Sequence, residues 1–183
     1  MKTFRILLAL LTLLFLNSCG TQKAAVNSAD NGPVIQTKFF GARFEDSPWR
    51  VYNKINRYRP IKEDDGSFTI IRQDFGGCNW HFVEMSFVED MFYRINFQQE
   101  FKTESAAKSR FDSIYGMLRV KYGEMEVNNE GDGFTYTDAA TNVVSIRVHP
   151  GTSKSGQEFW YCDLSYCSGA GLLIMFLKSL NEI

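Results

Sequence analysis

What this chain of 183 residues has little of narrows what it can be. It carries no excess of charge of one sign: 20 Lys and Arg stand against 21 Asp and Glu, a formal net charge of −1. A nucleic-acid-binding protein shows a basic excess, so the balance argues against a nucleic-acid partner. Histidine is scarce, with only His81 and His149, which leaves few candidates for general-base or metal chemistry. No G-x-S-x-G, H-E-x-x-H or P-loop spacing occurs, so the common hydrolase, zinc-protease and nucleotide-phosphate sites have no support. No motif implies a cofactor. A membrane-spanning helix needs about 20 apolar residues, whereas the opening apolar run, Ile6 to Leu16, has 11.

What is present is aromatic. Phe, Trp and Tyr make up 15% of the chain, enough to bury a substantial core and to mark a globular protein rather than a disordered one. The opening segment is of another kind. Lys2 and Arg5 form a short positive region, the 11-residue apolar run follows, and Asn17-Ser18 lead into Cys19. That length and order are those of a secretory signal, and the run is apolar all round, unlike a core helix. The tetrapeptide Leu16-Asn17-Ser18-Cys19 resembles the bacterial lipobox, with Asn17 less usual at its place than Ser or Ala. The resemblance implies cleavage before Cys19, diacylglycerol on its sulfur and a fatty acyl group on its new amino terminus. Several acyl chains hold a protein to a bilayer persistently, at about 0.8 kcal/mol per buried methylene. Gly20 in place of Asp favours the outer membrane, and the absence of an acidic cluster after Cys19 favours the face toward the periplasm. Removing residues 1–18 leaves 18 basic against 21 acidic residues, still without a basic excess.

Three parts are expected: residues 1–18 as signal, 19–37 as lipidated tether and 38–183 as one domain. The stretch "GTQKAAVNSADNGPVIQ" is small and polar and keeps no periodicity; as a coil of about 17 residues it would reach roughly 20–25 Å. Beyond it, Ser47-Pro48 reads as a helix opening and Pro60 as its stop. Phe68 to Phe75 reads as a strand. Val83, Met85 and Phe87 alternate with polar residues, as do Met91, Tyr93, Ile95 and Phe97, which predicts an antiparallel hairpin. Thr103 is placed to cap a helix whose apolar face is Ala107, Phe111, Ile114, Tyr115, Leu118 and Tyr122, with Gly123 to end it. Phe134 to Tyr136, Val143 to Val148 and Glu158 to Cys167 read as further strands. Ala170 to Ile183 reads as a short helix with Leu173, Phe176, Leu177 and Leu180 inward.

The fold class expected is therefore α+β: two helix-then-three-strand units forming an antiparallel sheet, helices on one face, and a short C-terminal helix. In that order, the helix ending "IYGMLRVKYGE" and the strands in "GFTYTDAATNVVSIRV" and "EFWYCDLSY" resemble the β-lactamase-inhibitor-protein-like domains. The opening "FFGARFEDSPWRVYNKI" resembles small envelope lipoproteins of the Bacteroidetes type. The likeness spans residues 39–168. It implies a helix-plus-antiparallel-sheet domain of a kind whose members mostly bind other proteins or have no assigned role, and it carries no functional residue across.

Candidate chemistry is thin. In an oxidising compartment two of Cys78, Cys162 and Cys167 could pair. Cys162 and Cys167 fall on opposite faces of one strand, so Cys78 with either is the better pair; the alternative is three reduced, buried thiols. "CNWH" offers Cys78 and His81 as ligands, but the other two positions of a zinc site have no spacing support. "NNEGDG" imitates the start of an EF-hand loop, but its last ligand position falls on Ala139 where Glu is needed. Arg50, Lys54 and Arg57 form a basic stripe on the first helix, either a docking face for an acidic partner or lipid head groups, or the solvated side of that helix. Three functions follow. The first is a non-catalytic envelope lipoprotein presenting its exposed sheet face to a protein partner, with solvent-facing Trp49, Phe92 and Tyr161 as aromatic anchors if they cluster. The second is a small-ligand binder, and the third a thiol- or metal-dependent enzyme in which Cys78 and His81 meet Cys162 or Cys167.

Overall fold

The computed structural model describes residues 32–152 and 156–181. The expected signal, Cys19 and the first part of the tether lie outside the described residues. The fixed chain starts earlier than residue 38. Ile35 is buried in the core, its N–H donating to Asp138 Oδ2 at 3.0 Å, and the Tyr136 hydroxyl donates to the Pro33 carbonyl at 2.9 Å. A single apolar side chain and two hydrogen bonds are enough to seat a segment whose composition reads as a linker.

A small ribbon, β1 (Lys38–Phe39) and β2 (Ala42–Arg43), comes first. It delivers Phe39 into a cluster of rings with Phe44, Phe75, Phe97 and Tyr166, centroids 5.0–6.2 Å apart. Helix α1 (Pro48–Ile55) begins where Pro48 presets the backbone, although the Ser47 side chain makes no capping bond. It buries Val51 and Ile55, runs into a 3-10 turn (Asn56–Tyr58) and stops at the left-handed Arg59 before Pro60. Helix α2 (Glu104–Tyr122) is capped by the Thr103 side chain, which accepts from the Ala106 N–H. Its buried residues Ala107, Ile114, Leu118 and Tyr122 lie on the expected face, with Phe111 and Tyr115 half-buried over Phe134. Helix α3 (Gly169–Asn181) ends the described chain.

Eight strands form one sheet: β3 (Ile61–Lys62), β4 (Phe68–Phe75), β5 (Cys78–Val88), β6 (Met91–Phe101), β7 (Glu126–Val127), β8 (Gly133–Thr137), β9 (Val143–Thr152) and β10 (Glu158–Cys167). Their spatial order is β3-β4-β5-β6-β10-β9-β8-β7, every neighbouring pair antiparallel. Four strands, not three, follow each of α1 and α2; β3 and β7 are two residues long, too short for alternation to reveal. One face carries the core, including Val83, Met85, Ile95, Phe97, Ile146 and Leu164. Each such fully buried side chain contributes about 1.5–3 kcal/mol.

The helices do not share one layer. Leu172 of α3 borders the opposite, polar face together with Arg94 and Cys167. Nor does α3 turn its apolar side inward: Leu173, Phe176, Leu177 and Leu180, expected inside, are exposed. Phe92, expected at the surface, is fully buried. The register of β5 and β6 shifts between Ser86 and Phe87, and the extra residue rotates Phe92 to the core side.

Candidate functional site

The polar face of the sheet is built by alternation. With Ile95, Phe97, Leu164, Ile146 and Val144 turned to the core, their neighbours Arg94, Asn96, Ser165, Ser145 and Arg147 must turn away. Register then sets them in rows. Asn96 stands opposite Ser165, Ser165 opposite Ser145, and Ser145 opposite Thr135; Asp163 stands between Gln98 and Arg147. The Ser165 hydroxyl donates to Asn96 Oδ1 at 2.5 Å. Walled by Leu172 of α3 on one side and by Asn128, Asn129 and Glu130 on the other, these rows floor an open cleft of about 570 Å³. The Asn128 turn is held by its own side chain, which donates to Asp132 Oδ1 and accepts the Asp132 N–H. The residues that imitate a calcium loop are thus a wall of the cleft.

Two guanidiniums set its electrostatics. Arg94 meets Glu84 at 3.5 Å, and its Nε is buried without a hydrogen-bond partner among the described residues. Arg147 meets Glu130 and Asp163, each at 3.5 Å. These contacts are long for charge-assisted bonds, which close to about 2.7–2.9 Å, so both side chains keep donor capacity. Behind Arg147, the buried Asp163 takes His149 Nε2 at 2.9 Å while His149 Nδ1 faces the Pro150 carbonyl at 3.0 Å. The hydrogen bond to Asp163 raises the His149 pKa above its ordinary 6.5, against the opposing effect of burial, with the Pro150 carbonyl adding to the rise. Only the imidazolium can donate at both nitrogens.

The cysteines divide between the faces. Cys162 is buried on the core side, where Cys78 is also buried; Cys167 lies opposite Arg94 on the polar side. All three are free thiols, so the structure contains no disulfide among the described residues. Burial pushes the Cys162 thiol up to about 12 and the Cys167 thiol up to about 11. Cys78 Sγ receives a 3.6 Å contact from the Arg110 guanidinium, and His81 Nδ1 accepts the Glu100 N–H at 3.1 Å. The set required for thiol or metal chemistry is therefore not brought together around Cys167. Among the described residues no three His, Cys, Asp or Glu side chains converge as a metal site. A second, apolar cavity of about 210 Å³ lies between α2 and the sheet, lined by Cys78, Trp80, Ile114, Leu118 and Tyr166 among others.

The basic stripe is exposed but broken. Lys54 is held by Asp46 at 2.9 Å, and Arg57 falls in the 3-10 turn, bonded to the Tyr58 hydroxyl and lying over its ring. Arg50, on α1, adds its charge to that of Lys54 near the Asp46 carboxylate. The aromatic anchors do not cluster: Trp49 is 69% exposed and stacks on Tyr52, but Phe92 and Tyr161 are buried. Tyr161 does point to the polar side, where the His149 ring stacks on it at 5.5 Å.

Sequence reasoning missed Arg94, Asn96, Ser145, Arg147 and Ser165 as a group. Each is legible as an outward residue of its strand, but only the order β6-β10-β9 makes them neighbours. Compared with known proteins, the chain matches no protein-family model, no curated protein and no solved structure.

Proposed function

We propose that this chain is a lipid-anchored protein of the outer membrane, facing the periplasm, whose α+β domain binds an acidic segment of a protein partner without catalysing a reaction. The observation that carries the binding reading is the polar cleft, with two guanidiniums opposed by carboxylates only at 3.5 Å. A partner carboxylate entering the cleft would compete for guanidinium donors that Glu84, Glu130 and Asp163 hold only at 3.5 Å, while Asn96, Ser145, Ser165 and Thr135 offer neutral donors and acceptors for its flanking groups. The anchor rests on Lys2, Arg5, the apolar run and Cys19. The mirrored strand order is what a doubled helix-and-strand unit would leave, in keeping with a protein-binding domain of the inhibitor-like type.

In-membrane crosslinking tests this with the native chain and Arg94→Gln. Truncating one side of a desolvated charge pair costs about 2–5 kcal/mol, so a partner recovered with the native chain should be lost about 30-fold or more. A partner recovered equally with both chains overturns the acidic-segment reading. The cleft's 570 Å³ also suits a small ligand. A small organic acid that co-purifies with the native chain, and not with Arg94→Gln, would favour that reading instead. For the anchor, Cys19→Ala should abolish acylation and release the chain from the membrane fraction.

A further inference from the structure

Helix α3 is built inside out. Its exposed side carries Leu172, Leu173, Met175, Phe176, Leu177 and Leu180, each 36–59% exposed. Its single charged residue, Lys178, is half-exposed and pairs with Glu89 of the β5–β6 turn at 2.5 Å. An ordinary surface helix hides its apolar stripe against the domain instead. The helix has 13 residues and no acidic one, too short for the roughly 30 Å of hydrocarbon that a spanning helix crosses. No helix among the described residues is long and apolar enough to cross a membrane.

The start of α3 and the start of the described chain are fixed to the same turn. Asp138, at the end of β8, accepts the Ile35 N–H and the Asn142 N–H, and the Asn142 side-chain oxygen in turn accepts the Gly169 N–H at 3.2 Å. Ser168 caps the helix, its hydroxyl accepting the Gly171 N–H, while its own N–H is held by the Tyr93 carbonyl. A Cβ at Gly169 would overlap Thr141 of that turn, and one at Gly171 would overlap Tyr93. The first turn of α3 is thus wedged between the β8–β9 turn and β6. Cys19 precedes Ile35, the residue fixed to that turn, by 16 residues, a contour of at most about 55 Å. An acyl anchor at Cys19 therefore keeps the turn that carries α3 within that distance of the bilayer.

We propose that α3 is a membrane-contact helix, lying in the interface of the same bilayer that holds the lipid anchor with Leu173, Phe176, Leu177 and Leu180 among its acyl chains. The proposal rests on the lipoprotein reading for its anchor. A lipid surface fits better than a protein for two reasons. The stripe is aliphatic with one ring, and its immediate polar neighbours on the helix are Ser179 and the half-exposed Lys178, a thinner polar surround than protein interfaces place around an apolar centre. One short helix also falls below the roughly 800 Å² per partner that a stable dimer buries. Insertion of an interfacial helix by about 5–10 Å is enough to cover these side chains. Because Leu172 borders the polar cleft, such a contact fixes the cleft's mouth close to the membrane plane rather than leaving it free to tumble.

The test uses the full chain, acylated in its host and reconstituted into phosphatidylethanolamine–phosphatidylglycerol vesicles doped with a lipid bearing a diazirine in its acyl chain. After irradiation, adducts are mapped by mass spectrometry. Adducts are expected at residues 172–180, about tenfold above those at Val120, which is 90% exposed on α2. The double substitution Phe176→Glu, Leu177→Glu, at exposed positions, should cut α3 adducts about tenfold while the melting curve and the labelling of the acylated N-terminal peptide stay unchanged. An unlabelled α3 beside a labelled N-terminal peptide overturns the proposal, as does crosslinking of α3 to a second copy in place of lipid. The mass of the N-terminal peptide reports separately on acylation of Cys19. If acylation is absent, the anchor reading fails, and labelling of α3 by vesicles added to the unacylated chain still decides the role of the helix.

Discussion

Asp138 ties three distant parts of the chain together, and removing its carboxylate should show it. One oxygen accepts the Ile35 N–H at 3.0 Å and the Asn142 side-chain amide at 3.3 Å; the other accepts the Ala140 and Asn142 N–H groups, both at 2.9 Å. In Asp138→Ala, water can replace the carboxylate at exposed Ala140, but Ile35 is buried, so its donor is shielded from water. Hydrogen bonds to a charged acceptor contribute about 1.5–3 kcal/mol, and a buried donor left unmade costs about 1–3 kcal/mol. With the Ile35 and Asn142 donors counted, the loss should come to about 3–5 kcal/mol, a large part of the 5–15 kcal/mol typical of a domain. The midpoint of thermal unfolding should drop by about 10 °C. Asp138→Asn keeps one acceptor oxygen and should lose about half as much. Urea unfolding followed by circular dichroism gives the free energy, and amide hydrogen exchange at Ile35 gives the local effect. A loss under about 1 kcal/mol, or Ile35 protection equal to that of the native chain, refutes this account of Asp138.

Three more outcomes follow from the same geometry. Gly171→Ala should raise helix propensity by up to about 1 kcal/mol, yet the new methyl overlaps Tyr93; the chain should therefore lose stability, about 1–3 kcal/mol, and tryptic cleavage after Lys178 should speed up, whereas a gain in stability would disprove the wedge. His149 should titrate above 6.5 by NMR, because the Asp163 hydrogen bond favours its cation. A raised folded pKa gives stability that is complete below 6.5 and fades as pH rises through the folded value, so that slope should flatten in His149→Gln. With thiols at about 12 and about 11, Cys162 and Cys167 hold on the order of one part in ten thousand thiolate or less at pH 7. Iodoacetamide should leave both unmodified in the native protein, and unreduced but denatured chain should label at Cys78, Cys162 and Cys167 alike; two positions labelled only after reduction would reveal a disulfide.

Much of the architecture is legible in the sequence, and the failures share a physical cause. Helix α2 is readable because its apolar residues recur on one face and polar ones fill the other, so periodicity carries direction. In α3 nearly every residue from Leu172 to Leu177 is apolar, and a pattern without contrast names no face. Its orientation is set by three contacts that a pattern cannot carry: Gly171 against Tyr93, Asn142 on Gly169, and Lys178 on Glu89. Ile35 is the converse, one apolar residue in a polar run, placed by a hydrogen bond to a residue 103 positions away. Phe92 fails through a single register shift, since one extra residue in a strand reverses which side chains meet the core. The polar cleft depends on non-local order in the same way. Arg94 and Arg147 sit on strands separated in the chain by α2, β7 and β8 and in space by β10 alone. Alternation along each strand announces that both point outward, and only the pairing of β10 with β6 and β9 brings them to one mouth. That pairing is also what lets one short helix, fixed at the end of β10, wall the cleft with Leu172 while turning the rest of its apolar surface away from the domain.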